Sequence, residues 1–138
     1  MAQKHGRYKV SAKEHRTVDD IVFDSKLEAG HYVWLKENFK GEVHRQPEFL
    51  LQEKFRNVDG KVVLPIKYKA DFLLGPSRVA IEDPLAETNI VIDSKGHLTE
   101  VFRIKAKIFM HRYDAKIWTV KNNKELEEAV HHYNQLIL

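Results

Sequence analysis

Cysteine is absent from this 138-residue chain. Its absence excludes disulfide bonds and zinc sites with thiolate ligands, and it fits a reducing compartment. No apolar run approaches the roughly 20 residues that a membrane-spanning helix needs, and the basic, polar N-terminus lacks the apolar segment of a signal peptide. We therefore expect a cytoplasmic protein that has no membrane partner.

The eight histidines show neither HxH nor HExxH spacing, the patterns typical of histidine zinc sites. His131 and His132 are adjacent, so on a helix they would point about 100° apart and would not favour a shared metal. Internal repeats, low-complexity tracts and linker-like segments are also lacking. The length is sufficient for one domain with a real hydrophobic core.

Positive charge is concentrated at the N-terminus, although the net charge of the whole chain is only +3. Residues 1–18 carry one acid, Glu14, and five cations: Lys4, Arg7, Lys9, Lys13 and Arg16. We predict that residues 1–18 are a basic arm, in front of a single domain that spans residues 19–138. Such an arm favours an anionic partner such as nucleic acid, and a merely solubilising leader is the alternative.

Hydrophobic spacing predicts an α/β fold, a mixed β-sheet flanked by α-helices. Ser25 and Glu28 form a capping box, so a helix is expected to start there and to stop near Gly41. Asp59-Gly60 predicts a hairpin turn between extended segments 42–55 and 62–74. Later segments are predicted as strands over 78–82, 89–94 and 115–120, and as helices over 98–113 and 122–137.

Four Asp-x-Lys triplets occur in the chain, and their surroundings distinguish them. They are Asp24/Lys26, Asp59/Lys61, Asp93/Lys95 and Asp114/Lys116. The first opens a helix, the second lies in a turn, and the last begins a strand. Only Asp93-Ser94-Lys95 follows an apolar run, Ile90-Val91-Ile92, and precedes a glycine and a helix. Asp93 and Lys95 are therefore the triplet that we interpret as chemical.

Asp71 strengthens this interpretation because it is a second acid within an apolar, strand-like segment. A buried carboxylate is costly unless a metal, a proton or a partner neutralises it. Asp71, Asp93 and the Ser94 carbonyl offer the oxygen ligands that Mg²⁺ or Mn²⁺ prefers, and Glu28 would join through a water or a second metal. Lys95 would orient water or stabilise phosphate charge. Lys105 would reach the phosphate from the next helix.

At these residues the sequence resembles the PD-(D/E)xK nuclease superfamily. The resembling segments are Phe23-Asp-Ser-Lys-Leu-Glu-Ala29 with Glu28, Tyr68-Lys-Ala-Asp-Phe72 with Asp71, and Asp93-Ser-Lys-Gly96. Residues 46–50 and 99–105 also look like a phage-associated group related to RecU-type Holliday-junction resolvases. The resemblance covers about residues 20–115. Ala70 stands in the place of the proline that gives the superfamily its name, and Asp93 fills a position that is often glutamate.

The resemblance implies a restriction-endonuclease-like fold and a Mg²⁺- or Mn²⁺-dependent DNA endonuclease. Its catalytic residues would be Glu28, Asp71, Asp93 and Lys95. Its substrate would be branched DNA, and it would act as a homodimer in a bacterial or phage-infected cell.

Two alternatives remain: a nicking or restriction-type endonuclease of the same fold, and a non-catalytic DNA-binding accessory protein. Each residue also has a simpler interpretation. Glu28 would only cap a helix, Asp71 would be a solvated strand-edge acid, Asp93 and Lys95 would form a surface ion pair, and Lys105 would be a helix-flank cation.

Overall fold

The computed structural model describes residues 12–138 of the chain. Its helices are α1 (Lys26–Asn38), α2 (Glu100–Tyr113) and α3 (Asn123–Leu136), and a short 3-10 helix covers Lys13–Arg16. The strands are β1 (Thr17–Val18), β2 (Ile21–Val22), β3 (Val43–Arg45), β4 (Glu48–Gln52), β5 (Phe55–Arg56), β6 (Val62–Val63), β7 (Ile66–Lys69), β8 (Phe72–Leu74), β9 (Ile90–Ser94) and β10 (Ile117–Val120).

The central sheet of the described chain has four strands in the order β10-β9-β8-β3. β9 pairs in parallel with β10 and antiparallel with β8, while β8 pairs antiparallel with β3. Both arrangements occur in one sheet, and helices accompany it, so the predicted mixed α/β class is confirmed. Antiparallel pairs β4-β7 and β5-β6 extend from this sheet and form the predicted hairpin around Asp59-Gly60.

The sheet separates two apolar clusters, and β9 contributes to both. Ile90 and Ile92 pack with α1 and α3 residues such as Leu35 and Leu126. Val91 belongs to the other cluster, which includes Phe109 of α2 and residues of β4 and β7. This alternation follows from the period of two in a strand. As a result, apolar residues cover both faces of β9.

The helix starts predicted from sequence are confirmed by their caps. Ser25 Oγ accepts the Glu28 N–H at 3.0 Å, and Asn122 Oδ1 accepts the Glu125 N–H at 2.9 Å. Thr99 caps α2 in the same way. α1 ends at Asn38, slightly before the predicted glycine stop. Helical spacing predicts that Val101 lies with Phe102 and Phe109 on the inner face of α2, but Val101 is 63% exposed, so this prediction is wrong.

The two long extended segments predicted over residues 42–55 and 62–74 are each interrupted. Gln46 has a positive φ of 51° and precedes Pro47, and together they divide β3 from β4. Ala70 and Asp71 divide β7 from β8. Asp71 therefore lies at a break between strands, not in the interior of one continuous strand as expected.

The strand predicted over residues 78–82 is wrong, because this segment forms turns held by side chains. The Arg78 guanidinium stacks 4.1 Å from the Phe49 ring and donates to the carbonyls of Glu48, Ile81 and Asp83. Asp83 Oδ2 in turn accepts the N–H groups of residues 79 and 80. These bonds satisfy the backbone locally, so that no partner strand is needed.

The last residues of the predicted arm are part of the folded structure. Thr17 and Val18 pair with Val22 and Ile21, and Arg16 Nη1 donates to the Phe23 carbonyl at 2.6 Å. The first three cations of the arm, Lys4, Arg7 and Lys9, lie outside the described residues. Of the helices between residues 12 and 138, none combines the length and apolar composition needed to cross a membrane.

Candidate active site

Three acids predicted from the sequence come together at one end of the central sheet. Glu28 is in the first turn of α1, Asp71 lies at the break between β7 and β8, and Asp93 is near the end of β9. Burial, followed by the negative charges of Asp93 and Glu28, raises the pKa of Asp71 to about 8. Their charges therefore act on one another, although the three residues are far apart in sequence.

Asp71 is held by backbone bonds that continue the sheet through the strand break. Its N–H donates to the Ile92 carbonyl at 3.2 Å, and its carbonyl accepts the Gln46 N–H at 2.8 Å. Its Oδ2 accepts the Ser94 N–H at 2.7 Å. The side chain is thus directed along the edge of β9 towards Asp93, so the solvated-edge interpretation does not describe it.

Asp93 is as enclosed as Glu28, with 1% of its surface exposed. Its Oδ2 accepts the Tyr68 hydroxyl at 2.5 Å. Its Oδ1 lies 3.3 Å from Lys95 Nζ, yet it has no partner with hydrogen-bond geometry among the described residues. The interpretation of Asp93 and Lys95 as a solvent-facing ion pair is therefore wrong for Asp93, because only the lysine reaches the surface.

Lys95 is half-buried and is positioned by both its neighbours and its backbone. Its N–H donates to the Val120 carbonyl of β10 at 3.0 Å, which continues the parallel pairing past the end of β9. Its ammonium group lies 4.9 Å from the centre of the Phe102 ring. The cation is thereby held beside the Asp93 carboxylate, at the boundary between core and solvent.

The Glu28 N–H takes part in the helix cap, and the Asp24 backbone N–H acts on the Glu28 carboxylate. The Glu28 side chain is 1% exposed, and its Oε2 has no hydrogen-bond partner within residues 12–138. Burial and the charge of Asp24 raise the pKa of Glu28 to about 7, while the charge of Arg45 opposes the shift. A capping role alone accounts for the Ser25 bond and leaves the buried carboxylate unexplained.

Three neighbours of the acids were not predicted as site residues from the sequence: Tyr68, His31 and Arg45. Tyr68 fixes one oxygen of Asp93, and His31 Nδ1 lies 2.7 Å from Ser94 Oγ. Arg45 stacks 4.5 Å from the Phe23 ring. The hydrogen bonds of His31 and Tyr68 span 63 and 25 residues, so they leave no local signal in the sequence.

The remaining predicted DNA contacts are distributed more widely. Lys105 is half-buried on α2 and forms no ion pair with another residue of the described chain. Lys13 is exposed in the short 3-10 helix, and Arg16 is bonded to the Phe23 carbonyl. Lys13, Arg16 and Lys105 therefore stay predicted DNA contacts.

The donor set fits a hard divalent cation in part. Within residues 12–138, no three His, Cys, Asp or Glu side chains already surround a point where a metal ion would sit. However, Glu28 Oε2 and Asp93 Oδ1 are buried acceptors that have no hydrogen bond among the described residues, although the Lys95 ammonium lies near Asp93 Oδ1. Buried acceptors without hydrogen bonds are costly. Carboxylate and carbonyl oxygens are the ligands that Mg²⁺ or Mn²⁺ prefers. Asp71, Asp93 and the Ser94 carbonyl would hold such an ion, with Glu28 nearby.

The fold and site together define an α/β protein with a buried acidic cluster and an adjacent lysine. Residues 7–127 match the model of a family described as "Protein of unknown function (DUF1064)", and the chain belongs to that family. Searches of curated proteins and of solved structures gave no match.

Proposed function

We propose that this protein is a metal-dependent endonuclease that hydrolyses phosphodiester bonds in DNA. The observation that supports the proposal most is Asp93 Oδ1, which is buried at the end of β9, accepts no hydrogen bond from the described residues, and has Lys95 Nζ 3.3 Å away. The buried carboxylate oxygen is suited to bind a metal ion, and the lysine at the surface is suited to contact a phosphate. The resemblance at Glu28, Asp71, Asp93 and Lys95 leads to the same function.

Each residue of the site has a role that its contacts support. Asp71, Asp93 and the Ser94 carbonyl would bind Mg²⁺ or Mn²⁺, and Glu28 would join through water. When bound, the ion would polarise a phosphoryl oxygen and lower the pKa of a coordinated water. The Tyr68 hydroxyl and the Ser94 N–H each fix one carboxylate oxygen, which restricts the orientation of both acids.

Lys95 would supply the positive charge that the reaction needs. Its ammonium group lies 4.9 Å from the centre of the Phe102 ring and is partly exposed at the rim of the site. From there it would contact the phosphate and stabilise the charge that develops as water attacks. It would also hold the attacking water for proton transfer.

A second positive surface supports DNA as the anionic partner. Residues 54–69 contain the antiparallel pair β5-β6 and carry one acid, Asp59, against five exposed cations: Lys54, Arg56, Lys61, Lys67 and Lys69. A two-stranded ribbon fits into the major groove of B-DNA, and its cations would contact phosphates. This ribbon adds to the predicted N-terminal arm.

Branched DNA is the proposed substrate within this class, with Holliday junctions of a phage recombination or replication system as the specific case. A homodimer would place two sites on two strands with two-fold symmetry. The support is the resemblance of residues 46–50 and 99–105 to the RecU-related group. A nicking or restriction-type endonuclease of the same fold is the alternative within the enzyme class.

The deciding experiment measures cleavage of four-way junction, flap, nicked and linear DNA, each with Mg²⁺, Mn²⁺ or EDTA. Metal-dependent cutting of the junction, with two symmetric nicks, is expected. Cutting of linear DNA with equal efficiency would favour the restriction-type alternative. Tight binding with no cutting of any substrate under any metal would instead identify an accessory DNA-binding protein.

A further inference from the structure

An open groove lies beside the acidic cluster, between the N-terminal ends of α1 and α3. Its volume is about 460 Å³, and its lining residues are Lys26, Leu27, Gly30, His31, Asn122 and Asn123. The first N–H groups of a helix have no partner inside the helix, and the helix dipole places partial positive charge there. Two helices of 13 and 14 residues begin at this one groove.

His31 is a buried polar group, and its missing hydrogen-bond partner indicates a ligand in this groove. Its side chain is 2% exposed, and Nε2 has no partner among the described residues. Nδ1 is already engaged, 2.7 Å from Ser94 Oγ. If the serine hydroxyl donates to Nδ1, then Nε2 carries the hydrogen and is a donor without an acceptor. An anion in the groove would supply that acceptor.

Gly30 is a second, independent observation. It lies within α1, where glycine costs roughly 0.5–1 kcal/mol relative to alanine. A Cβ built on Gly30 would meet no atom within 4 Å, so packing does not require a glycine there. The missing side chain keeps the groove open, which suits the close approach of a ligand to the helix backbone.

The charges around the groove are compatible with an anion. Lys26 contributes a cation at its rim. The one acid that acts on His31, Glu125, is bound to Lys121, with Oε2 3.0 Å from Nζ and Oε1 accepting the Lys121 N–H. The Glu125 charge is therefore already compensated by its own neighbour.

We propose that this groove binds a phosphate of the DNA strand next to the phosphate that is cut, with His31 Nε2–H as a donor. The inference rests on the proposed nuclease function for its place in the reaction. Ser94 connects the two sites, because its side chain contacts His31 and its N–H contacts Asp71. A strand anchored in the groove would therefore have its neighbouring phosphate presented to Asp93 and Lys95.

The test changes the charge at Gly30, where a new side chain meets open space. DNA affinity is measured by fluorescence anisotropy in EDTA for Gly30→Glu, Gly30→Gln and Gly30→Lys in the full chain. Gly30→Glu should weaken binding roughly tenfold relative to Gly30→Gln, because like charges repel, whereas Gly30→Lys should bind as well as Gly30→Gln or better. Asn134→Glu, which adds the same charge at the exposed far end of α3, should have less than a twofold effect.

A second measurement depends neither on cleavage nor on DNA binding. Inorganic phosphate is titrated into the wild-type protein while the His31 ring signals are followed by NMR. Saturable shifts that disappear in Gly30→Glu would support the phosphate site. Equal DNA affinity for the glutamate and lysine variants, together with an unresponsive His31, would overturn it.

The two proposals fail separately. If DNA is cleaved in a metal-dependent way but the Gly30 variants bind equally, the groove is not a phosphate site and the nuclease proposal stands. If no DNA is cleaved while Gly30→Glu alone loses affinity, the groove binds phosphate and the nuclease proposal is wrong.

Discussion

Tyr68 donates its hydroxyl to Asp93 Oδ2 at 2.5 Å inside the protein, where both side chains are buried. The bond leaves Oδ1 as the acceptor that faces Lys95. Burial and the charge of Asp93 raise the pKa of Tyr68 above its ordinary value, so the hydroxyl stays a donor at physiological pH. The orientation of the carboxylate is thus set by a residue that would not itself touch substrate.

Tyr68→Phe tests this relationship, because it removes only the hydroxyl. We expect cleavage activity or apparent Mg²⁺ affinity to fall roughly 10- to 100-fold, the usual effect of losing a group that orients a metal ligand. Cleavage rates over a Mg²⁺ titration measure both quantities. Tyr32→Phe removes an exposed hydroxyl at 3.2 Å from Asp19 and is the matched control. Unchanged Mg²⁺ dependence in Tyr68→Phe would show that the bond has no role in the site.

Asp71→Ala and Asp93→Ala should each abolish metal-dependent cleavage. DNA binding should survive or improve, because Asp93→Ala removes a negative charge that faces the phosphate, and Asp71→Ala does so above about pH 8, where Asp71 is ionised without metal. Gel-based cleavage assays and anisotropy in EDTA measure the two effects separately. Asp114→Ala changes the acid of a triplet outside the site and should leave cleavage intact. Full activity in either site variant contradicts the assignment of these acids.

Stability without metal should fall as pH rises from about 4 to 8, because burial raises the pKa of Asp71 from 3.8 to about 8. The folded protein binds more protons than the unfolded chain in this window, so the stabilisation is complete below the unfolded pKa and is lost as pH rises through the folded one. Asp71 should lower the free energy of unfolding by up to about 1.4 kcal/mol per pH unit in this window. Denaturation in EDTA at several pH values measures it.

Asp71→Asn is the variant that isolates this contribution, since it cannot ionise. Its stability relative to wild type should rise with pH over the same window, whereas Asp59→Asn in the exposed turn should show no such trend. Mg²⁺ binds the ionised carboxylates, so its stabilising effect on wild type should grow with pH. A wild-type difference from Asp71→Asn that is independent of pH would mean that Asp71 is ionised throughout.

Deleting residues 1–11 should weaken DNA binding and reduce its salt dependence. Lys4, Arg7 and Lys9 would then be lost, and each phosphate contact contributes a slope of about −0.9 to log K against log salt. The deletion stops before residue 12 because Arg16 and Thr17 bond within the folded domain. Anisotropy at four salt concentrations measures the slope. An identical slope in the shortened chain would identify the arm as a solubilising leader.

Local signals in the sequence were sufficient for the helix starts and for the strand that carries Asp93. Ser25 and Asn122 act through residues three positions away, and the apolar run before Asp93 leads directly to burial. The interruptions at Gln46 and at Asp71 were harder to predict, because each depends on how neighbouring strands pair. Residues 78–82 have strand-like composition, and only the stacking of Arg78 on the distant Phe49 shows why they turn.

The candidate site was predictable as a set of acids but not as an arrangement. Asp71 and Asp93 could be chosen because burial of a carboxylate is costly and each lies in an apolar segment. Glu28 was chosen from the resemblance and from its place near the start of the first helix. Tyr68 and His31 could not be chosen, since inward-facing aromatic residues usually belong to the core. The predicted burial of Val101 was wrong for a related reason. α2 buries a narrow stripe through Phe102 and Phe109, and a helical period alone does not give the width of that stripe.

The position of β9 between the two apolar clusters has a consequence for the dynamics of the site. Ile90 and Ile92 belong to one cluster and Val91 to the other, so the strand cannot detach without opening both. Amides in such a strand exchange with solvent only through global unfolding. We expect Val91 and Ile92 to be among the slowest amide protons in hydrogen–deuterium exchange, so Asp93 keeps its place for as long as the domain stays folded.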